Sequence, residues 1–232
     1  MSVASQTHCD IEHIIVDGAS ADHTVVLVKL HGNHISTLIS EPDTGIYDAM
    51  NKGIAVATGD WIGFLNADDI LADSTCVAAI ADTASRTNAD AIYGDLVYVQ
   101  EANTQSIVRV WKSGEFWPAR LRFGWMPPHP TLYVRRQLIQ ELRGFNTRLK
   151  IAADYDFVLR CMSRDGVRVA YIPKVLVRMR MGGASNHSIK AMVRKSGEDL
   201  AALRRSGVGG IFTLLCKNVR KLPQFFVKRI KR

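Results

Sequence analysis

Short apolar runs alternate with helical patterns along most of the chain. The runs are rich in β-branched residues and stop at turn residues, as buried strands do. Between them, apolar residues recur every three or four positions, most clearly at Ile46, Met50 and Ile54. Strands are predicted at 11–16, 35–40, 61–65, 91–93 and 131–134, and helices at 46–58, 74–87 and 154–164. This alternation predicts an α/β fold with a mostly parallel central sheet flanked by helices.

The first three predicted strands all end in polar residues. Asp17 ends the first strand, Asp43 follows the second, and Asn66-Ala67-Asp68-Asp69 follows the third. Because ligands of open α/β sheets bind beyond the carboxyl ends of the strands, we expect these side chains to gather at one edge. Carboxylates suit a divalent cation that also binds phosphate oxygens. The alternative is that an Asp after a strand only caps the next helix, as Asp69 or Asp73 could.

The rest of the chain divides into an aromatic segment and a basic tail. Residues 101–150 are irregular and rich in aromatic residues, and they contain His129 in a Pro-Pro-His-Pro turn. His129 is either a structural residue or a contact for phosphate or acceptor. From residue 189 onward the pattern is helical and increasingly basic. We therefore predict a domain over 1–188 and a basic amphipathic helical tail over 189–232.

The composition is that of a globular protein. Hydrophobic residues make up 47% of the chain and charged residues 22%, which excludes the disordered class. The four cysteines are single and widely spaced, which argues against a zinc site or a disulfide framework. The first ten residues lack the basic and apolar stretches of a signal peptide, and no apolar run reaches the roughly 18 residues of a membrane span. These features predict a cytoplasmic protein.

The net charge of +8 is concentrated at the C-terminal end. Residues 204–232 hold nine Lys and Arg and no Asp or Glu, so the remainder of the chain carries a net charge of −1. A nearly neutral body disfavours a DNA-binding protein. Apolar residues such as Phe225 and Phe226 accompany the cations, which is typical of a helix on an anionic membrane surface. We predict peripheral attachment to the cytoplasmic face of the inner membrane, the alternative being a basic end packed on the body.

Several motifs occur in a specific order and spacing. They are DGASADHT at 17–24, EPDTGIYDAMNKG at 41–53, ATGD at 57–60, FLNADD at 64–69 and IAADYDFVLR at 151–160. Together they resemble the family 2 glycosyltransferases over roughly residues 2–186. The resemblance implies a GT-A-like nucleotide-binding fold. It also implies a metal-dependent, inverting transfer of sugar from a nucleotide-sugar donor to a cell-surface polysaccharide or lipid-linked acceptor.

The resemblance also implies roles for the polar residues at the strand ends. Asp17 matches the carboxylate that recognises the nucleotide base, and Asp43 lies in a loop that holds the nucleotide. Asn66-Ala67-Asp68 takes the place of the family's D-x-D motif, whose last Asp binds Mn²⁺ or Mg²⁺ chelated by the donor diphosphate. Asn66 replaces the first acidic residue and would still bind a ribose hydroxyl.

Two further residues are implied in the chemistry. Asp154 matches the family's catalytic base at the start of a helix, although relatives often have an acidic residue where this chain has Ala153. The alternative is that Asp154 has only a structural role, as a helix cap. His129 is similar to a His that precedes the next strand in relatives, and could contact phosphate or acceptor.

The beginning of the chain departs from the family pattern. Residues 2–7 match the end of the first family helix, so the chain is expected to start one strand and most of a helix late, which would leave a gap in the sheet. This leaves a second hypothesis open, a truncated, non-catalytic binding protein with the same fold. A nucleotidyltransferase is a weaker third hypothesis, which the 45–53 motif disfavours.

Overall fold

The protein is described by a computed structural model that covers residues 2–32, 34–182 and 189–220, without the side chains of 189–191. The tail beyond residue 220 and the Gly-Ala-Ser segment after residue 182 lie outside the described residues. The strands are β1 (Ile14–Asp17), β2 (Thr37–Ser40), β3 (Trp61–Gly63), β4 (Ile70–Leu71), β5 (Ala91–Val99), β6 (Ile107–Trp111), β7 (Tyr133–Arg135) and β8 (Val169–Arg180). The helices are α1 (Thr24–His31), α2 (Ile46–Val56), α3 (Cys76–Arg86), α4 (Ala119–Arg122), α5 (Arg136–Glu141), α6 (Ala153–Met162), α7 (Ile189–Arg205) and α8 (Ile211–Val219), with a short 3-10 turn at His129–Thr131.

The larger sheet has six strands and is mixed. Its order is β3-β7-β5-β8-β4, and β6 pairs with the far end of β5. Only β5 and β8 run parallel there, whereas the strand–helix alternation predicted mostly parallel pairing. Part of the difference arises after residue 99, where a short loop returns the chain as β6, because a short connection of this kind can only make an antiparallel pair. Strands β7 and β4 also run antiparallel to their neighbours. The α/β class and the helices flanking the sheet are confirmed.

Strand β5 is longer than its sequence predicted, because Gly94 and Asp95 continue the strand instead of turning. A side chain at Gly94 would lie 2.6 Å from the side chain of Leu176 on β8, so the close approach of the two strands requires glycine. Buried Asp95 accepts hydrogen bonds from the Tyr171 hydroxyl at 2.9 Å and the Ser113 N–H at 2.8 Å. These partners satisfy a carboxylate that would otherwise favour a turn.

Strands β1 and β2 form a separate parallel pair. Within the described residues, β1 pairs only with β2, and β3 pairs only with β7. Glu12, just before β1, links the pair to the body because its carboxylate accepts hydrogen bonds from the Thr58 N–H at 2.7 Å and the Gly59 N–H at 3.0 Å. Side-chain contacts therefore position β1 against the segment that leads into β3.

Helices cover both faces of the larger sheet. Successive residues of β5 point to opposite faces, so Ala91 and Tyr93 pack into one core and Ile92 and Leu96 into the other. The first core includes α2, α5 and α6, and the second includes α3. Eight of the ten residues of α6 are buried, and Asp154 in its first turn is half-buried.

The helices after residue 188 also pack on the body. Ala202 and Leu203 of α7 are fully buried in the core that contains α6. Lys217 on α8 and Asp199 on α7 form a buried ion pair at 2.7 Å, and the Lys217 ammonium lies over the Tyr155 ring of α6. In the part of the chain that the structure describes, no helix is long and apolar enough to cross a bilayer.

Candidate active site

The end of β1 carries a carboxylate held in a fixed orientation. Asp17 is 7% exposed and accepts hydrogen bonds from the Ser40 hydroxyl at 2.7 Å and the Ser20 N–H at 3.1 Å. The Ser20 hydroxyl also donates to it at short range. These hydrogen bonds, led by that of the Ser20 hydroxyl, hold the pKa of Asp17 below its ordinary value. Asp17 is therefore an anion at neutral pH with a defined direction.

The loop after β2 brings Asp43 against the loop after β1. A side chain at Gly18 would overlap the Asp43 carboxylate, so the two loops meet only because residue 18 is glycine. Asp43 also accepts a hydrogen bond from the Gly45 N–H at 2.8 Å, which fixes the turn into α2. The structure thus brings the Asp43 carboxylate against Gly18, the residue that follows Asp17.

The two acidic residues of the loop after β3, Asp68 and Asp69, lie in different environments. Asp69 is buried and accepts a hydrogen bond from the Asn66 amide at 2.9 Å, and burial raises the pKa of Asp69 above its ordinary value. Asp68 is exposed, and among the described residues it makes no hydrogen bond or ion pair. Because Asn66 donates to Asp69, its side-chain oxygen is the atom left for a ligand. Asp68 is therefore the carboxylate of this loop that can bind a ligand.

A divalent metal fits this loop only as part of a larger complex. Among the described residues there is no group of three or more His, Cys, Asp or Glu that could hold a metal ion. Asp68 supplies one exposed carboxylate, and Mg²⁺-type ions commonly bind one or two carboxylates together with substrate phosphates. The residues present therefore fit a metal that arrives with a diphosphate.

Asp154 lies in the first turn of α6 and is half-buried. Its Oδ1 accepts a hydrogen bond from the Tyr155 N–H at 2.8 Å and lies 3.3 Å from the Tyr47 hydroxyl. The N-terminal end of a helix stabilises a carboxylate anion. Burial, followed by the charge of Asp154, raises the pKa of Tyr47, so its phenol stays protonated and acts as a donor. The arrangement holds Asp154 at the start of α6, partly open to solvent.

His129 is a buried residue close enough to Asp154 to feel its charge. The imidazole is 9% exposed, stacks on Phe64 with centroids 5.7 Å apart, and meets the edge of Phe145 at 5.5 Å. Within the described residues, neither ring nitrogen has a hydrogen-bond partner. Burial lowers the pKa of His129 while the Asp154 charge acts in the opposite direction, so the imidazole is neutral at pH 7. The neutral ring therefore keeps one donor and one acceptor nitrogen unused, both shielded from solvent.

The sequence motifs did not reveal the aromatic residues that join these groups. Tyr47 stacks on Phe145 at 5.7 Å, and Phe64 meets Phe145 edge-on at 5.1 Å. Asn51 fixes the Phe145 backbone, donating to its carbonyl at 2.9 Å and accepting from its N–H at 2.8 Å. Tyr47 and Asn51 belong to the 41–53 motif, which could have identified them, whereas Phe145 lies in no motif.

The predicted site residues thus fall into two contact groups. Asp17 and Asp43 meet through Gly18, and Asp154 and His129 are joined through the aromatic cluster of Tyr47, Phe64 and Phe145. Phe64 belongs to the same loop as Asn66 and Asp68, so this loop runs from His129 toward solvent. Among the described residues, no hydrogen bond joins Asp68 to either group.

The mixed sheet, its flanking helices and the separate β1–β2 pair form a GT-A glycosyltransferase fold. Residues 1–165 match the family described as Glycosyl transferase family 2, and the chain belongs to this family. It is therefore a transferase that acts in glycosyl transfer, as the resemblance predicted.

Named relatives share this assignment. The chain is 33% identical over 190 residues to the PGL/p-HBAD biosynthesis glycosyltransferase of Mycobacterium bovis. This match covers 80% of this chain and 72% of the relative. It is 24% identical over 176 residues to an uncharacterized glycosyltransferase of Haemophilus influenzae, covering 69% and 55% of the two chains.

Two solved structures show the same fold. TarS 1-349 of S. aureus superposes with a TM-score of 0.67 at 16% identity, covering 99% of this chain and 69% of that one. The mannosyltransferase PcManGT of Pyrobaculum calidifontis, in complex with GDP-Man and Mn²⁺, superposes with a TM-score of 0.64 at 18% identity, covering 97% and 67%. At these identities the likeness concerns the fold alone.

Proposed function

We propose that the protein transfers a sugar from a nucleoside diphosphate sugar to an acceptor hydroxyl, with inversion at the anomeric carbon and with the help of a divalent metal. The observation that carries the proposal is the position of Asp154, an accessible carboxylate at a helix N-terminus beside the Tyr47 hydroxyl and close to the unsatisfied imidazole of His129. Asp68 is the exposed carboxylate on the neighbouring loop. The solved TarS and PcManGT complexes with UDP-GlcNAc and GDP-Man support a nucleotide-sugar donor.

Each residue has a defined task in this proposal. Asp17 and Asp43 bind the nucleoside, and Asn66 and Asp68 face the ribose and the diphosphate. A divalent ion held by Asp68 would neutralise the charge that develops on the departing nucleoside diphosphate. Asp154 removes the proton of the acceptor hydroxyl, which attacks the anomeric carbon from the side opposite the leaving group. One displacement by one base inverts the anomeric centre, because no covalent sugar–enzyme intermediate is formed.

A panel of donors tests the proposal. UDP-, GDP- and dTDP-sugars are incubated with the full chain and Mn²⁺ or Mg²⁺, and release of nucleoside diphosphate is followed with and without simple glycoside acceptors. We expect one donor class to raise the melting temperature and to be turned over, with loss of turnover on chelation of the metal. Binding without turnover would support the alternative of a non-catalytic binding protein, and neither binding nor turnover would refute the nucleotide-sugar assignment.

We also propose that the acceptor is lipid-linked or part of a cell-surface polysaccharide, and that the C-terminal end attaches to an anionic membrane. Helix α8 exposes Ile211, Phe212, Leu215 and Val219, each by more than half. Phe212 meets exposed Phe123 of the body at 6.5 Å, which extends the apolar surface beyond the helix. The sequence adds Lys and Arg after residue 219, which complement anionic headgroups.

Vesicle sedimentation tests the membrane proposal. The full chain should bind vesicles containing phosphatidylglycerol more strongly than pure phosphatidylcholine vesicles, and 0.5 M NaCl should weaken that binding because salt screens the charges. Phe212→Ser with Leu215→Ser should reduce sedimentation several-fold, while Val108→Ser, at an exposed position of β6 outside the tail, serves as the control. Equal binding to both vesicle types, or none, would exclude electrostatic attachment.

A further inference from the structure

A helix from far along the chain holds the loop that leads into α6. The backbone N–H groups of Lys150, Ile151 and Ala152 all donate to the carboxylate of Glu198 on α7. Oε2 accepts from Ile151 at 2.8 Å and from Ala152 at 3.0 Å, and Oε1 accepts from Lys150 at 3.2 Å. Three successive N–H groups on one carboxylate fix the path of the backbone, since charge-assisted hydrogen bonds are strong and directional.

Glu198 is an anion in this position. Its side chain is 11% exposed, and the Arg194 guanidinium lies 3.0 Å from Oε1 one helical turn earlier. Partial burial raises the pKa of Glu198, but the three N–H groups and Arg194 together outweigh that effect, so the pKa is lower than usual. The carboxylate therefore keeps its full acceptor strength at neutral pH.

The same loop is fixed from its other side by the candidate active site. The Tyr47 hydroxyl lies 2.8 Å from the Ile151 carbonyl oxygen, to which it donates, and 3.3 Å from Oδ1 of Asp154. Residue 151 thus donates to Glu198 and accepts from Tyr47, three residues before the candidate base. A displacement of this loop would move the first turn of α6, on which Asp154 lies.

Helix α7 has a second contact with that first turn. The Arg205 guanidinium donates to Oδ1 of buried Asp156 at 2.9 Å, two residues after Asp154. Buried Ala202 and Leu203 seat α7 in the core independently of Glu198. Loss of the Glu198 carboxylate should therefore release the loop without detaching the helix.

We propose that Glu198 is a positioning residue for Asp154, which fixes residues 150–152 and through them the direction of the carboxylate that takes the acceptor proton. The proposal rests on the proposed function of Asp154. Glu198 lies on α7, beyond residues 1–165 that match the family model. Helix α7 is then part of the catalytic scaffold as well as the start of the basic end.

A positioning role and a purely structural role predict different kinetics. The Lys150 ammonium does donate to the Thr44 carbonyl at 3.1 Å, next to Asp43. The carboxylates of Asp17 and Asp43 are instead held by Ser40 and Gly45, so nucleotide affinity should depend little on Glu198. Misplacement of a catalytic group by about 1 Å can cost on the order of 100-fold in rate. A positioning residue therefore changes kcat while the Kd of the nucleoside diphosphate and the donor KM stay constant.

The experiment compares Glu198→Ala and Glu198→Gln with wild type, using the donor found by the panel, well below the melting temperature of each protein. Alanine removes all three acceptor contacts and should lower kcat by about 30-fold or more. Glutamine keeps one oxygen for Ile151 and Ala152 and should retain a larger share of kcat. Glu141→Gln, which removes a partly exposed carboxylate paired with Arg164 on the body, is the control and should match wild type.

The outcomes separate this proposal from the proposed function. Wild-type turnover with a graded loss of kcat, Ala more than Gln, at constant donor KM supports the positioning role. Wild-type turnover with unchanged kcat in both variants overturns it, as does a rise in KM alone. If Glu198→Ala does not fold, Glu198→Gln decides by the same criterion, and absence of wild-type turnover refutes the proposed function instead.

Discussion

The substitution Asp154→Asn should lower the rate of sugar transfer by about 1,000-fold, because general bases contribute on the order of 10²–10⁴-fold. Asparagine preserves the size of the side chain and can still accept from the Tyr155 N–H and the Tyr47 hydroxyl, so α6 should stay in place. It cannot take a proton from the acceptor. The kcat for transfer at saturating donor measures the effect, and donor KM should change little.

The control for this variant is Asp165→Asn. Asp165 is exposed just beyond the C-terminal end of α6, at the opposite end of the same helix. Its substitution removes the same charge without touching the site, and kcat should equal that of wild type. If Asp154→Asn also transferred sugar at the wild-type rate, Asp154 would be only a helix-capping residue.

The substitution Asp68→Asn should lower kcat/KM by on the order of 10²–10³-fold, the usual cost of losing one electrostatic contact to the transition state. Asp68 is exposed at the end of the β3 loop, so the change should leave stability almost unaffected. The mechanism predicts that binding also changes. Calorimetry should show that chelating Mn²⁺ weakens nucleoside diphosphate binding by wild type but hardly changes the already weak binding by the variant.

Asp60→Asn provides the matched control for Asp68. Asp60 is exposed at the opposite end of β3, so the two variants differ in which end of the strand loses a charge. The control should retain both turnover and the response to the metal. A strong metal response that survives in Asp68→Asn would mean that the ion is held by other groups.

The local parts of the fold could be predicted because their signals are local. The run before Asp17 and the spacing of Met50 and Ile54 predicted β1 and α2 within a few residues. Ile46 shows the limit of this pattern, since it opens α2 at the edge of the body and is 51% exposed. Periodicity predicts which face of a helix is apolar, but how much of that face is buried depends on the residues that pack against it.

Strand pairing could not be predicted in the same way. Gly94-Asp95 has the composition of a turn, and only Leu176, Tyr171 and Ser113, distant in sequence, make it part of β5. The antiparallel addition of β6 depends on a short return loop inside a segment without periodicity. Tertiary partners of this kind override local preference.

In the candidate site, too, the sequence predicts which residues take part but not how they are surrounded. Family-like motifs point to Asp17, Asp43, Asp68 and Asp154, but they carry no information on the environment of each carboxylate. Asp68 and Asp69 are adjacent and identical in sequence. Only the structure shows that Asp69 is buried and accepts a hydrogen bond from Asn66, while Asp68 is exposed. Glu198 could not be identified, since a carboxylate in a basic helical stretch gives no sign that it accepts from a loop 46 residues earlier.

The most direct test compares the wild type, Asp154→Asn and Asp68→Asn in one transfer assay, with a single donor and acceptor, in Mn²⁺ and in EDTA. Product should form rapidly only with wild type in Mn²⁺, and both variants should be slower by at least about 100-fold. Product formed at the wild-type rate by both variants would contradict the assignment of Asp154 as base and Asp68 as the ligand-binding carboxylate.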